Sequence, residues 1–209
     1  MNKAYIYLYD DMDRLDDSFI ADNLHKLPMF RQEQCNRYRY EADKKACILA
    51  YLLLEQGLRE QYGITNFISF IYNEHGKPYL QEYPQVFFNI SHCKCAVVCA
   101  LADFKIGVDI QDIHPYNINV ARRACSKIEL KQLMESESPD RLFCRMWTKK
   151  ESYAKAKGIS VADVLKKELP ERMHYYQQDK NYCIALCHLG LVNHDNINIH
   201  KILQIISPG

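Results

Sequence analysis

The chain has 209 residues and carries 27 Lys plus Arg against 26 Asp plus Glu, a formal net charge of +1. That balance argues against a dedicated duplex-DNA binder, which carries a strong basic excess, and leaves room for a local cationic pocket for one small anion. Apolar residues make up 48% and charged residues 25%, as in an ordinary globular chain of one large domain or two small ones, and no apolar run reaches the roughly 18 residues of a membrane-spanning helix.

Residues 4–9, Ala-Tyr-Ile-Tyr-Leu-Tyr, read as a first strand, not as the basic-then-apolar start of a signal peptide. After a polar, acidic stretch to Leu27, one long helix is expected over 29–61. Its second part, Cys47 to Leu54, is apolar nearly all round and should be buried on several sides; Gly63 supplies a stop. Phe67 to Tyr72 reads as a strand, Glu74 to Tyr79 as a turn punctuated by Gly76 and Pro78, and Phe87 to His92 as part of a strand pair. Ala96 to Leu101 and Lys105 to Ile110 are expected to form a hairpin around the turn Ala102-Asp103-Phe104. Ser126 and Glu129 fit a capping box. Ser138-Pro139 fits an N-cap with Pro at the first helical position, opening a helix that runs to Lys157 and ends at Gly158. Strands are expected at 173–178, 182–188 and 196–204. The order strand, long helix, strands occurs once before residue 103 and again after it, which fits two similar α/β halves and a single α+β domain without symmetry about equally well.

Nine cysteines stand at positions 35, 47, 93, 95, 99, 125, 144, 183 and 187. Free thiols in a reducing cytoplasm are the expected state. Cys93-Lys94-Cys95 has one intervening residue, shorter than the gap of a structural zinc pair, so buried free thiols are expected there too.

Three clusters can carry chemistry. In Ile106-Gly107-Val108-Asp109-Ile110-Gln111, strand alternation puts Asp109 and Gln111 on one face. Gly107 permits close approach to the backbone, and an acid in an apolar strand needs a partner, such as a cation. In Trp147-Thr148-Lys149-Lys150-Glu151-Ser152-Tyr153-Ala154-Lys155, helical spacing stacks Trp147, Glu151 and Lys155 on one face. Trp147 draws that face inward, where Glu suits a metal ion and Lys a phosphate. In Asn89-Ile90-Ser91-His92, with Gly76-Lys77-Pro78 upstream, Ser91 and His92 can donate to phosphate oxygens.

Taken together, these pieces resemble the Sfp-type 4′-phosphopantetheinyl transferase family, whose pattern runs Gly-Lys-Pro, Asn-x-Ser-His, Gly-[Val/Ile]-Asp-x-Glu and Trp-[Ser/Thr]-x-Lys-Glu-[Ser/Ala]-x-x-Lys. The resemblance spans residues 76–155 and extends loosely to Arg31 and Lys45. It implies an α+β fold built as a pseudo-dimer of two similar subdomains, 1–103 and 104–209, each a small sheet on a long helix, with the active site in the cleft between them. The implied reaction moves the 4′-phosphopantetheine arm of coenzyme A to a serine of an apo acyl, peptidyl or aryl carrier protein and releases 3′,5′-ADP. The implied metal ligands are Asp109 and Glu151, with Gln111 a weaker third, holding Mg²⁺, or Mn²⁺. Glu151 and Lys155 are the implied catalytic residues, and Lys77, Pro78, Ser91, His92, Asp109, Lys155, Arg31 and Lys45 the implied coenzyme contacts. Gln111 departs from the family's Glu and removes a negative charge beside the ion; a coenzyme A- or carrier-binding relative with weak or no transfer is therefore the second reading. A cytoplasmic monomer with no nucleic-acid or membrane partner is expected.

Overall fold

The computed structural model describes residues 3–66, 68–171, 174–179, 181–189 and 194–202. Among the described residues helices and three small sheets alternate in a mixed α+β arrangement. Strand β1 (Ala4–Tyr9) pairs in parallel with β9 (Ile197–Lys201) and antiparallel with β5 (Val97–Ala102), which pairs in turn with β4 (Phe87–His92). Short strands β2 (Phe70–Tyr72) and β3 (Pro78–Leu80) make a separate hairpin. The third sheet has the order β6 (Ile106–Asp112), β8 (Tyr182–His188), β7 (His174–Gln178).

Strand alternation divides β1 and β5 between two cores. Tyr7, Tyr9, Val97, Cys99 and Leu101 face a cluster built on α3 (Glu41–Tyr62). Ile6, Leu8, Val98 and Ala100 face the opposite way and pack with Ile106, Val108, Ile110, Ile184 and Leu186 of the β6–β8 sheet. The far side of that sheet is covered by α6 (Pro139–Lys157). Gly107 sets the closeness of this last contact: a Cβ there would stand 2.2 Å from the Ser152 carbonyl oxygen and 2.3 Å from the Ala156 nitrogen.

Several expectations are corrected. The long helix over 29–61 is two helices, α2 (Met29–Asn36) and α3, because Arg37 to Tyr40 leave the helical path and Tyr40 turns extended at φ −97° to open α3. Acidic Glu41 and Asp43 then favour the new N-terminus. The apolar run is buried without interruption from Ala46 to Leu54, as its composition predicts. The hairpin expected from residues 96–110 does not form either. Both edges of β5 are taken, by β1 and β4, so the chain crosses at 103–105 into the other sheet and β6 pairs with β8. Strands β1, β4, β7 and β8 match expectation, whereas β2 takes up only Phe70–Tyr72 of the stretch expected from Phe67, and the turn expected over 74–79 gives Pro78 and Tyr79 to β3, which pairs back on β2; residues 67, 173, 203 and 204 lie outside the described residues.

Helix α1 (Ser18–Leu24) and α2 lie against α3, whose last turn closes on Gly63 at φ +64°. Helix α4 (Ile118–Ala124) leads into α5 (Lys127–Met134), whose capping box is formed as predicted: Glu129 N donates to Ser126 Oγ at 3.1 Å and Ser126 N to Glu129 Oε2 at 2.7 Å. The same Glu129 oxygen pairs at 3.0 Å with Lys150 Nζ, a side chain only 1% exposed, which also donates to the Lys167 carbonyl at 2.7 Å. Lys150 therefore ties α6 to α5 and to the segment after α6. Replacing it with Met strands the Glu129 carboxylate in a buried position, a loss on the order of 3–5 kcal/mol. Urea unfolding of Lys150→Met should show that loss, with part of it recovered in Lys150→Met/Glu129→Gln; a change below about 0.5 kcal/mol, the scale of a surface substitution, would contradict the anchoring role.

Candidate active site

Asp109 sits mid-strand in β6 and is 1% exposed. Its Oδ1 accepts from Lys155 Nζ at 2.6 Å and from Ser91 Oγ at 2.8 Å, and its Oδ2 accepts from the Gln111 amide at 3.3 Å. Lys155 Nζ also donates to Ser91 Oγ at 3.0 Å. One carboxylate thus gathers side chains from β4, β6 and the last turn of α6. The periodicities that the sequence carries explain the convergence: period two on β6 aligns Asp109 with Gln111, and α6 closes on that face because Gly107 lets it.

Glu151 is half-buried one turn before Lys155 on α6. Burial raises its pKa above the ordinary carboxylate value; the Asp109 charge adds to the rise and Lys155 opposes it. The Asp109 charge disfavours that of Glu151; two carboxylates with the Gln111 side-chain amide, which also carries an oxygen, offer donors of the kind a small hard divalent cation takes, and such a cation would relieve the repulsion. Asp109, Glu151 and Gln111 therefore fit a divalent ion by their chemistry.

The β4 and β6 edges meet here without a backbone ladder. Asn89 Oδ1 accepts the Val108 N–H at 2.8 Å and Ser91 Oγ accepts the Ile110 N–H at 3.4 Å. Side chains two apart on β4 thus satisfy backbone donors two apart on β6. Sequence reasoning named Asn89 in its motif and gave it no role; its spacing of two from Ser91 was the available signal.

The other site residues fall into two groups. Lys77, Pro78 and His92 lie near the Asp109 cluster. Lys77 Nζ donates to the carbonyls of Lys155 at 2.6 Å, Ile106 at 3.0 Å and Ala156 at 3.5 Å, so its ammonium caps the C-terminal end of α6. Burial, with Lys105 adding, lowers its pKa to about 8. Asn73, which the sequence reading passed over, holds that turn in place: its side-chain oxygen accepts the Lys77 N–H and its amide donates to the Gly158 carbonyl at 3.0 Å. The wall of this turn, with Asn89 and Lys155, lines a cavity of about 230 Å³. His92 ends β4, and desolvation, followed by the Lys155 charge, outweighs Asp43 and Asp109 to hold its imidazole below the ordinary histidine pKa.

A second cavity of about 200 Å³ shares Gly76 and Pro78 with the first and is lined by His92, Tyr38, Phe70 and Arg31. Arg31 is 8% exposed, lies over the rings of Tyr51 and Phe70, donates to the Cys47 carbonyl at 3.0 Å and leaves its Nε buried without a partner. Lys45 is turned elsewhere: its Nζ donates to the Leu15 carbonyl at 2.7 Å and pairs with Asp17 at 3.6 Å. Beyond Gln111, a cavity of about 390 Å³ opens between Tyr116, Val120, Phe143, Cys144 and Trp147. Trp147 is half-buried in its wall beside Phe143, so the Trp stripe does turn inward as its spacing implied. Among the described residues no helix is long and apolar enough to cross a membrane.

Comparison with known proteins shows which family the chain resembles. Residues 105–187 match the family model of the 4′-phosphopantetheinyl transferase superfamily, and residues 17–103 match the model of the 4′-phosphopantetheinyl transferase N-terminal region. A 4′-phosphopantetheinyl transferase of Bacillus subtilis is 30% identical over 179 residues, covering 75% of this chain and 80% of the relative. The Sfp transferase of Bacillus subtilis strain 168 is 28% identical with the same coverage, and the psf-1 transferase of Bacillus pumilus is 30% identical over 155 residues, 70% of this chain and 66% of the relative. Since one superfamily accounts for both matched segments and for the aligned relatives alike, the chain belongs to the 4′-phosphopantetheinyl transferase superfamily, a family of enzymes.

Proposed function

We propose that this chain transfers the 4′-phosphopantetheine arm of coenzyme A to a serine hydroxyl of an apo acyl, peptidyl or aryl carrier protein and releases 3′,5′-ADP. The observation that carries the reading is the convergence of Ser91, Lys155 and Gln111 on the buried Asp109 carboxylate, with Glu151 one helical turn before Lys155. We take the protein to act as a cytoplasmic monomer of two similar halves, 1–103 and 104–209, with the coenzyme in the cleft between them.

Asp109 and Glu151, with the Gln111 amide oxygen as a weaker partner, would hold Mg²⁺, or Mn²⁺, which when bound supplies positive charge against the pyrophosphate. Lys155 exchanges Asp109 for a pyrophosphate oxygen and holds it as a point charge. Ser91 and His92 donate to the phosphates. Pro78, the turn at Lys77 and Arg31 line the nucleotide cavities, and the Arg31 guanidinium, whose Nε has no partner, is the candidate for the 3′-phosphate. Lys45, engaged with Leu15 and Asp17, stands further from this role. Glu151, directly or through a water, takes the proton as the serine oxygen attacks the phosphorus that bears the pantetheine arm. That P–O bond forms as the bond to the bridging oxygen breaks, and the negative charge leaves on 3′,5′-ADP. The apolar cavity beyond Gln111, with exposed Arg122 and Arg123 on α4, suits a carrier whose docking helix is acidic.

A second reading, binding of coenzyme A or carrier with weak transfer, draws on one contact: the Gln111 amide occupies the second oxygen of Asp109. Incubation with coenzyme A, Mg²⁺ and several apo carriers, followed by weighing the carriers, separates the two. Transfer predicts the added mass of one phosphopantetheine arm; coenzyme binding with no mass gain on any carrier would favour the second reading.

Two substitutions probe the roles. Glu151→Gln removes the base and should lower kcat by about 10²–10⁴-fold. In the metal-free protein burial raises the Glu151 pKa, a rise that a bound divalent ion would oppose. The same rise means that the folded state bears a desolvated charge at neutral pH, so Glu151→Gln should unfold at an equal or higher temperature. Activity near wild type would refute the role. Gln111→Glu restores a charge beside the ion; at about 4 Å from a divalent ion this adds about 2 kcal/mol even with water-like screening, so half-saturating Mg²⁺ should fall about thirtyfold. An unchanged metal requirement would remove Gln111 from the metal site.

A further inference from the structure

The β4–β5 turn places two thiols beside a carboxylate on the outer end of β6. Cys93 Sγ and Cys95 Sγ are 3.7 Å apart, and Cys95 Sγ is 3.2 Å from Asp112 Oδ1. The three ligand atoms all lie within 4.8 Å of one another, and among the described residues this is the grouping of three or more thiol, imidazole or carboxylate ligands. The turn is held for the purpose by backbone contacts. Cys93 N donates to the Ala96 carbonyl at 2.9 Å, Met12 N to the Cys95 carbonyl at 3.3 Å, and Lys94 N to Asp112 Oδ2 at 2.9 Å, which fixes the carboxylate and leaves Oδ1 to face the sulfurs. Both cysteines are half-buried, not buried as their sequence context implied, so the cluster opens to solvent.

The distances match a tetrahedral ion. Bonds of about 2.3 Å to sulfur and about 2.0 Å to oxygen at a tetrahedral angle place two sulfurs about 3.8 Å apart and a sulfur and an oxygen about 3.5 Å apart. The observed 3.7 Å and 3.2 Å lie within about 0.3 Å of these spacings, whereas a disulfide needs sulfurs about 2.05 Å apart. We propose that Cys93, Cys95 and Asp112 form a zinc site with three protein ligands and one solvent position. Two thiolates select zinc over the hard Mg²⁺ ion, so this site and the Asp109–Glu151 carboxylates sort different metals. Zinc enters as the divalent ion and the two thiol protons leave, with no change of oxidation state. Bound there, it clamps the turn that follows His92 to the strand that carries Asp109 and Gln111, joining the two sheets beside the active site.

The test uses the full chain, reduced and stripped of metal, with cobalt(II) and zinc(II) as probes. One equivalent of cobalt should give a thiolate-to-cobalt charge-transfer band that one equivalent of zinc bleaches and excess Mg²⁺ does not. The band should weaken in Cys93→Ser and in Cys95→Ser, vanish in Cys93→Ser/Cys95→Ser and need more cobalt in Asp112→Asn. In the unaltered protein, zinc should protect Cys93 and Cys95 from alkylation, read peptide by peptide in a mass spectrometer, which needs no variant to fold. No band, a band that survives in Cys93→Ser/Cys95→Ser, or protection that falls on other cysteines would overturn the site.

Discussion

The Asp109 carboxylate is the constraint around which the rest of the molecule is arranged. It occupies a strand whose neighbours, Val108 and Ile110, are buried in an apolar core, and it is itself almost wholly shielded from water. An isolated charge in such a place is untenable, so the fold must bring it partners. It does so with a cation from α6, a hydroxyl from β4 and an amide from its own strand. Removal of any of these leaves a buried charge short of a partner, which is why sequence-distant elements converge on this one side chain.

The same constraint accounts for the way the two larger sheets are joined. Their facing surfaces share one apolar cluster, but their adjacent edges, β4 and β6, are linked by Asn89 and Ser91 in place of a backbone ladder. Side chains reach further than a ladder bond, which leaves room at the seam for the polar groups of the site. Lys77 closes the other end of the seam by bridging the end of α6 and the start of β6. Lys77, proposed above to line the nucleotide pocket, thus also holds the scaffold, as Lys150 does through Glu129. Two lysines of the motif segments are in this sense structural, and their burial, 8% and 0% exposed, distinguishes them from the partly open Lys155.

Local signals are legible in the sequence. Gly63 and Gly158 end their helices at φ +64° and +70°, the Ser126–Glu129 box forms, and the alternation on β6 places Asp109 and Gln111 together. Pairing partners were not legible. Nothing in Ala96 to Ile110 distinguishes a hairpin from two strands in different sheets, because that choice rests on whether β1 claims the free edge of β5. The break at Arg37 to Tyr40 was hidden for a related reason: no Gly or Pro marks it. Nor could Cys93-Lys94-Cys95 reveal its third neighbour, since Asp112 lies on another strand and meets the thiols only after folding.

The central claim is that Asp109 and Glu151 hold a divalent ion while Lys155 turns to the coenzyme. A crystal structure with coenzyme A and Mn²⁺, the ion located by its anomalous scattering, tests it most directly. The account predicts an anomalous peak bound by Asp109 and Glu151, with Lys155 Nζ moved from Asp109 to a pyrophosphate oxygen. A Lys155–Asp109 pair that persists at its present 2.6 Å, with the ion elsewhere, would contradict it.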